Sequence, residues 1–434
     1  MTVHLDDVLA IEGPRPVRGV VRVPGDKSVS HRALMLAAVA DGRSTIRNLA
    51  TGDDVDRTRS AVEAFGIRAR HRPSGEVRVN GGGWGALREP EHVVDCGNSG
   101  TGIRLFLGLL AGGDGHVVLT GDASIRRRPM GRVVEPLRRM GAHIDGRDGG
   151  NLAPLAVRGA TLQGVRHELP VASAQVKSAI LLAGLRAEGV TEVVEPAQSR
   201  DHTERMLVSL GLPVERGADG VRITAADVPA FDLDVPGDPS SAAFHLVAAL
   251  VTPDSEVTVE DVLLNPTRVA FVDVLERMGG RIAMEVTGES GGEPVGRITA
   301  SSSVLHGTEI AGDEIPRVID EIPAIAVAAA FASGDTEVRD AAELRVKETD
   351  RIGAVEQELS QMGIAVEVRA DGFTVRGGSP RAGQFKSHGD HRIAMAAAVA
   401  ANACPGQSVV KGWRAVASSY PGFGDDFASL LPAR

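Results

Sequence analysis

One pattern recurs six times along the 434-residue chain: an Ala- and Leu-rich helical stretch, a turn containing Gly or Asp, then a short strand. The copies lie at 40–49, 112–120, 188–195, 253–260, 333–339 and 405–411. Their turns are spaced about 65 to 80 residues apart, the length of one multi-element supersecondary unit. A second echo supports the repeat. Helical stretches close on an apolar residue and glycine at Phe65-Gly66, Met140-Gly141, Leu210-Gly211, Met278-Gly279 and Met362-Gly363, and glycine suits a helix C′ position that needs positive φ. Each unit therefore reads as strand, helix, strand, helix, strand, strand, which makes the chain α/β (α+β). Six units divide into two similar domains of three βαβαββ repeats. The turn-rich stretch 232–239 marks the boundary, giving an N-terminal lobe over 25–236 and a C-terminal lobe of 1–24 plus 237–434. The first strand precedes unit one and is expected to belong to the far lobe, so a second crossing falls near Pro24. A cleft between two such domains is a favoured place for small ligands.

Chemistry-bearing residues gather at the predicted helix starts. In 24–32, Pro-Gly-Asp-Lys-Ser-Val-Ser-His-Arg, the turn at Pro24-Gly25 leads into a helix that Ser28 or Ser30 is able to cap, with Lys27 and Arg32 beside its open N–H groups. The Gly-rich turn 97–102 leads into a helix over 103–110, and such a turn lets backbone N–H groups approach an anion. Arg126, Arg127 and Arg128 sit in a turn before a helix over 131–140; they read as a solvated run or as an anion clamp, Arg128 being best placed. Ser173 reads as a helix cap, with ligand binding as the alternative, and Gln175 is able to reach a hydroxyl-rich substrate. Arg200 opens a further helix. Over 345–351 the spacing puts Lys347 and Arg351 on one helical face with Glu348 adjacent. The alternatives there are a salt-bridged surface helix and an anion site flanked by a proton donor or acceptor. Asp320, before the apolar stretch 322–332, reads as a carboxylate of shifted pKa or as a cap. Asp390-His391-Arg392 precedes another apolar helix, and Arg392 is the better ligand-binding candidate of the last two.

The net charge of −10 argues against broad nucleic-acid binding and makes these basic clusters stand out. Ten Phe, two Trp and one Tyr leave the cores to Ala, Val, Leu and Ile, and two cysteines provide no disulfide framework or metal-ligand spacing. The first ten residues lack a basic start and an apolar stretch, so no signal peptide is expected and a reducing cytoplasm is the simplest home. No apolar run is long enough to span a bilayer. No metal and no cofactor is called for.

The ordered set PGDKSVSHR at 24–32, GNSGTGIR at 97–104, RRP at 127–129, ASAQVKSA at 172–179, SRDHTER at 199–205, RVKETDR at 345–351 and DHR at 390–392 resembles the enolpyruvyl transferases over nearly the whole chain. The resemblance implies two domains of three βαβαββ units, each an inside-out α/β barrel, with the ligands in a cleft between them. It also implies transfer of the enolpyruvyl group of phosphoenolpyruvate to the 5-hydroxyl of shikimate 3-phosphate, releasing phosphate, on the route to chorismate and the aromatic amino acids. Carried over by motif, Ser28, Arg32, Ser173, Gln175 and Arg200 would hold shikimate 3-phosphate, with the backbone of Ala174. Gly100, Arg128, Gln175, Arg351 and Arg392 would hold phosphoenolpyruvate. Lys27 would touch both substrates, and Lys347 would lie on the shikimate phosphate side. Asp320 would take the 5-hydroxyl proton and Glu348 would protonate the methylene carbon, in an addition followed by elimination without a covalent enzyme adduct. The implied partners are the two substrates alone, with no nucleic acid and no membrane, and a monomer is expected.

Departures from the family pattern are visible. Ser418 stands where many members carry lysine, and Ala174 replaces a serine. Gly100 is small, as in members sensitive to glyphosate, so sensitivity is expected. Three rival readings are a UDP-N-acetylglucosamine enolpyruvyl transferase, an RNA 3′-phosphate cyclase, and a two-domain anion-binding protein without catalysis. The first usually carries a cysteine in the loop corresponding to 122–129, which this chain lacks.

Overall fold

Beyond their opening turns the helices Lys27–Val39, Gly100–Ala111 and Ala174–Gly184 bury residues on nearly every side, because Ala, Leu, Ile, Met, Phe, Val and Gly occupy all their faces there. Helices apolar all round belong in an interior, and strands must cover them. The computed structural model describes residues 2–4, 7–217 and 220–432; positions 1, 5, 6, 218, 219, 433 and 434 of the two predicted lobes lie outside the described residues. The chain forms two units, one of Gly25–Pro236 with Glu289–Glu293, the other of Met1–Pro24, Gly237–Gly288 and Pro294–Arg434. The predicted division leaves 289–293 in the other lobe. Here His202 Nδ1 meets a Glu293 oxygen at 2.7 Å, both side chains 1% exposed, and the Ser290 hydroxyl donates to the Asp234 carbonyl.

In the unit that starts at Gly25, one repeat runs as strand Arg166–Glu168, helix Ala174–Gly184, strand Val190–Val194, helix His202–Ser209 and strands Val214–Gly217 and Gly220–Thr224. Its first two strands pair in parallel and the others antiparallel. The same order recurs from Val94–Asp95 to Leu152–Arg158 around helix Gly100–Ala111. Strand Leu152–Arg158 alternates between buried and open positions, the mark of a sheet with one face on the core. The third copy is assembled from both ends of the unit. Helix Lys27–Val39 leads to strand Arg43–Arg47, whose parallel neighbour is Asp232–Asp234, far along the chain.

The second unit repeats the plan. Strand Arg18–Arg22 pairs in parallel with Glu256–Leu263, and so supplies the first strand of a repeat whose helix is Pro239–Val251. Strand Val8–Gly13 pairs with Gly406–Lys411 and closes the last repeat. Apart from the short excursion at 289–293, the chain thus leaves each unit directly after a first strand, at Pro24 and at Pro236, and enters the other at a helix. Helices Pro239–Val251, Ile322–Phe331 and His391–Ala403 pack on one another inside. Beside them Phe244, His245, Tyr420, Phe423 and Phe427 form one aromatic cluster. A buried Leu or Val on such a helix is worth about 1.5–3 kcal/mol, so these helices act as the cores. Among the described residues no helix is long and apolar enough to cross a membrane.

Three local expectations are corrected. Neither Ser28 nor Ser30 caps the first helix, because it begins at Lys27 and a cap must precede it. Asp26 takes that place, accepting from the Val29 N–H at 2.8 Å, while the Ser30 hydroxyl accepts from the Ala50 N–H. The helix expected from 103 starts at Gly100, since Ser99 accepts from the Gly102 N–H and draws the glycines into the first turn. Lys347 and Arg351 do not share a helical face. A 3-10 turn ends at Val346, Lys347 is extended, and the helix begins only at Arg351, capped by Asp350.

Candidate active site

The predicted residues fall into two groups, one on each unit. In the first unit they occupy the starts of the buried helices. Lys27 is the first residue of its helix, and its Nζ lies 3.0 Å from Asp54 Oδ2 in the opening turn of helix Asp53–Ala64. One turn on, Arg32 is 3% exposed and fans out three ways. It donates to Thr203 Oγ1 at 2.7 Å, to Ser178 Oγ at 2.6 Å and to the Ser28 carbonyl at 2.8 Å. Its planar fork therefore joins three helices, which a lysine would not reproduce. Between these two cations His31 is enclosed against Thr58 and Ser99, and burial, with Lys27 and Arg32 adjacent and only Asp54 opposing, pushes its pKa down to about 3.

Ser173 caps helix Ala174–Gly184, its hydroxyl facing the Val176 N–H. Gln175, half-buried, accepts from Arg104 Nη1 at 2.8 Å and donates to Thr101 Oγ1 at 3.1 Å. Arg128, half-buried, donates to Asn98 Oδ1 at 3.2 Å, while Arg126 and Arg127 are exposed. A methyl group placed on Gly100 would stand 2.9 Å from Arg104 Nη1 and 3.0 Å from Arg128 Nη1. The absence of a side chain at Gly100 therefore leaves room for both guanidinium groups beside it. Ala174 is half-buried at the first position of its helix; Arg200, expected to open one, is half-buried in the loop before Asp201, the residue preceding helix His202–Ser209.

Beneath this surface lies a charged cluster. Lys177 Nζ is 2.6 Å from Glu195 and 2.8 Å from Glu204, with all three side chains less than a tenth exposed. Burial disfavours the charge on Lys177, yet the two carboxylates hold its pKa above the ordinary lysine value; burial pushes the Glu204 carboxyl up.

The second unit carries the carboxylates. Asp320 lies in the turn before helix Ile322–Phe331, and its Oδ1 is 3.4 Å from Arg351 Nη1 and 3.7 Å from Lys347 Nζ. Arg392 Nη1 donates to the Asp320 carbonyl at 3.0 Å. Arg351, wholly enclosed, also donates to Glu348 at 2.6 Å and to Asp390 at 2.8 Å. Burial opposes its charge, but Asp390, Glu348 and Asp320 together raise its pKa beyond even the usual arginine value. Lys347 and Arg351 meet at one carboxylate although the helix expected to align them is absent. Asp320 is not the cap of its helix: that position is Glu321, whose side chain accepts from Ser240. Lys411 is exposed and bonded to Gln384, and Ser418 is half-buried in a 3-10 turn. Among the described residues no group of three or more His, Cys, Asp or Glu side chains is arranged to hold a metal ion.

Sequence reading missed Asp54, Arg104, Glu195 and Thr203 as partners. Asp54 stands in an acidic first turn, where carboxylates are common for dipole reasons alone. Arg104 and Thr203 lie inside quoted motifs, yet only packing reveals what they hold.

A family model described as EPSP synthase (3-phosphoshikimate 1-carboxyvinyltransferase) matches residues 11–427. A 3-phosphoshikimate 1-carboxyvinyltransferase of Synechococcus sp. (strain JA-3-3Ab) is 52% identical over 422 residues, covering 96% of this chain and 95% of that protein. One from Desulforudis audaxviator (strain MP104C) is 50% identical over 428 residues, covering 97% and 99%. The solved structure of EPSP synthase from Acinetobacter baumannii superposes with a TM-score of 0.87 at 39% identity, covering 98% of each chain. The enolpyruvyl transferase NikO from Streptomyces tendae shares the fold, with a TM-score of 0.78 at 19% identity over 98% of this chain and 97% of its own. With a family model spanning nearly its full length and relatives at about half identity, the chain belongs to the EPSP synthase family of enolpyruvyl transferases.

Proposed function

We propose that this chain transfers the enolpyruvyl group of phosphoenolpyruvate to the 5-hydroxyl of shikimate 3-phosphate through the residues named above. The observation that carries this assignment of roles is the reach of Arg351. One buried guanidinium holds Asp320 at 3.4 Å and Glu348 at 2.6 Å, so a proton acceptor and a proton donor are set around one fixed cation. Arg32, Ser28, Ser173, Gln175, Arg200 and the Ala174 backbone take shikimate 3-phosphate, with Lys347 on its phosphate side. Arg128, Gln175, Arg351 and Arg392 take phosphoenolpyruvate at Gly100, and Lys27 touches both.

In the addition step Asp320 accepts the 5-hydroxyl proton as that oxygen bonds to C2 of phosphoenolpyruvate, and Glu348 delivers a proton to C3. In the elimination step the C2–O bond to phosphate breaks, the new methyl carbon returns a proton to Glu348, the enol ether forms, and the proton held by Asp320 passes to the departing phosphate or to water. Fixed cations stabilise the phosphate as its charge grows, and being pre-set they need no reorganisation during the reaction. The same reading has the protein acting in the cytoplasm as a monomer, in keeping with its two free, buried cysteines. The test is release of inorganic phosphate: it must require both substrates together. Release from phosphoenolpyruvate alone, or with UDP-N-acetylglucosamine in place of shikimate 3-phosphate, would refute the reading. Sedimentation at the mass of two chains would refute the monomer.

A further inference from the structure

We propose that Glu195 is a positioning residue that sets affinity for shikimate 3-phosphate by fixing two binding segments at once. The inference rests on the function proposed above. Glu195 directly follows strand Val190–Val194, at the head of the loop that carries Ser199 and Arg200. Its Oε1 accepts from the Ser173 backbone N–H at 3.0 Å and from the Ser199 hydroxyl at 2.6 Å. Its Oε2 accepts from Lys177 Nζ at 2.6 Å. Ser173 caps the helix bearing Ala174 and Gln175, and Ser199 adjoins Arg200. One carboxylate therefore ties the Ser173–Gln175 helix start to the Ser199–Arg200 loop, and Lys177 ties both to helix His202–Ser209 through Glu204.

Fixing two segments against each other lowers the cost of ordering them around a ligand, and this appears in affinity rather than in the chemical step. Glu195 has no part in the proton transfers of the proposed reaction. It lies beside Lys177, Asp201, Glu204 and Arg216 on a cavity of about 420 Å³, so water is able to replace a shortened side chain and the variants should fold. In Glu195→Gln an NH₂ group at the Oε1 position faces the Ser173 N–H, which loses its acceptor and frees that helix start, and one at the Oε2 position faces Lys177 Nζ and loosens the tie to helix His202–Ser209.

The experiment is steady-state phosphate release by the full chain, varying each substrate in turn, for Glu195→Gln and Ser199→Ala, with thermal melting of each variant. Glu195→Gln should raise KM for shikimate 3-phosphate about tenfold, the scale of one lost charge-assisted hydrogen bond. Ser199→Ala should raise it about threefold, the scale of a neutral bond. KM for phosphoenolpyruvate and kcat should stay within about twofold for both variants. Direct titration with shikimate 3-phosphate should show the same loss. A lower melting temperature with unchanged affinity would mean that Glu195 only supports the fold, and would overturn the proposal. So would equal effects on both substrates, or a fall in kcat alone. If the unaltered chain releases no phosphate with shikimate 3-phosphate, the function itself falls and takes this role with it; an active chain with unaffected variants refutes the role alone.

Discussion

Arg351 and Asp390 form an ion pair sealed from solvent, the guanidinium Nε donating to Oδ2 at 2.8 Å with side chains 1% and 0% exposed. The other Asp390 oxygen accepts from the Arg392 N–H at 2.8 Å and so caps helix His391–Ala403. A single carboxylate therefore fixes one arginine of the proposed site by its side chain and a second by its backbone. Removing it leaves a buried cation short of a partner, a change that typically costs about 3–5 kcal/mol. Asp390→Asn should fall at the low end of that range, because Glu348 and Asp320 still face Arg351. Urea unfolding of the variant checks it, and a midpoint equal to that of the unaltered chain would contradict it.

Turnover should depend on Asp320 and Glu348 far more than binding does. Asp320→Ala and Glu348→Gln should each lower kcat by about 10²–10⁴-fold, the range for a lost general acid or base. Calorimetric binding of shikimate 3-phosphate should remain close to normal. Glu348→Gln keeps an acceptor for Arg351, so its loss isolates the proton. Near-normal turnover in either variant would remove that residue from its role.

Gly100 leaves space where Arg104 and Arg128 approach, and a methyl group there would push two guanidinium ends aside rather than backbone. Gly100→Ala should therefore fold, while KM for phosphoenolpyruvate rises about tenfold, the scale of one misplaced methyl group in a fitted site. The unaltered chain should be inhibited by glyphosate competitively with phosphoenolpyruvate, and Gly100→Ala should resist it. Full activity of the unaltered chain in glyphosate well above the phosphoenolpyruvate concentration would contradict this.

Two enclosed histidines should make the fold acid-sensitive. Burial, aided by Lys27 and Arg32, lowers the His31 pKa to about 3, and burial lowers that of His245 to about 3. Since an unfolded histidine titrates near 6.5, the unfolded chain binds more protons between about pH 3 and pH 6.5. Stability then rises with pH across that window and is level with respect to these groups above it. Each contributes a slope of up to about 1.4 kcal/mol per pH unit. His245→Phe, placed among Phe423, Phe427 and Tyr420, should flatten the slope between pH 6 and pH 5. Chemical unfolding at several pH values measures it, and an identical slope would show that His245 does not titrate on unfolding.

Much of the fold is legible in the chain because the repeat is written in local terms. Apolar spacing marks the helices, and glycines such as Gly66, Gly141 and Gly211 end them with positive φ. What local spacing lacks is the identity of a distant neighbour. Nothing near Arg18–Arg22 specifies Glu256–Leu263 as its parallel partner, or Asp232–Asp234 as that of Arg43–Arg47. Even short-range reading fails where side chains compete for one cap, as at Asp26 and Ser28, or where a helix breaks between Lys347 and Arg351.

By itself the sequence determined the six repeats, the buried character of the leading helices and the kinds of residue at their starts, since these follow from the order of apolar, glycine and charged side chains. Only the tertiary structure decided which group answers each charge: Lys27 with Asp54, Arg32 with Thr203, Arg351 with Asp390, and Glu195 with Ser173 and Ser199. Burial makes an unpaired charge costly, so packing selects partners that separation along the chain does not reveal.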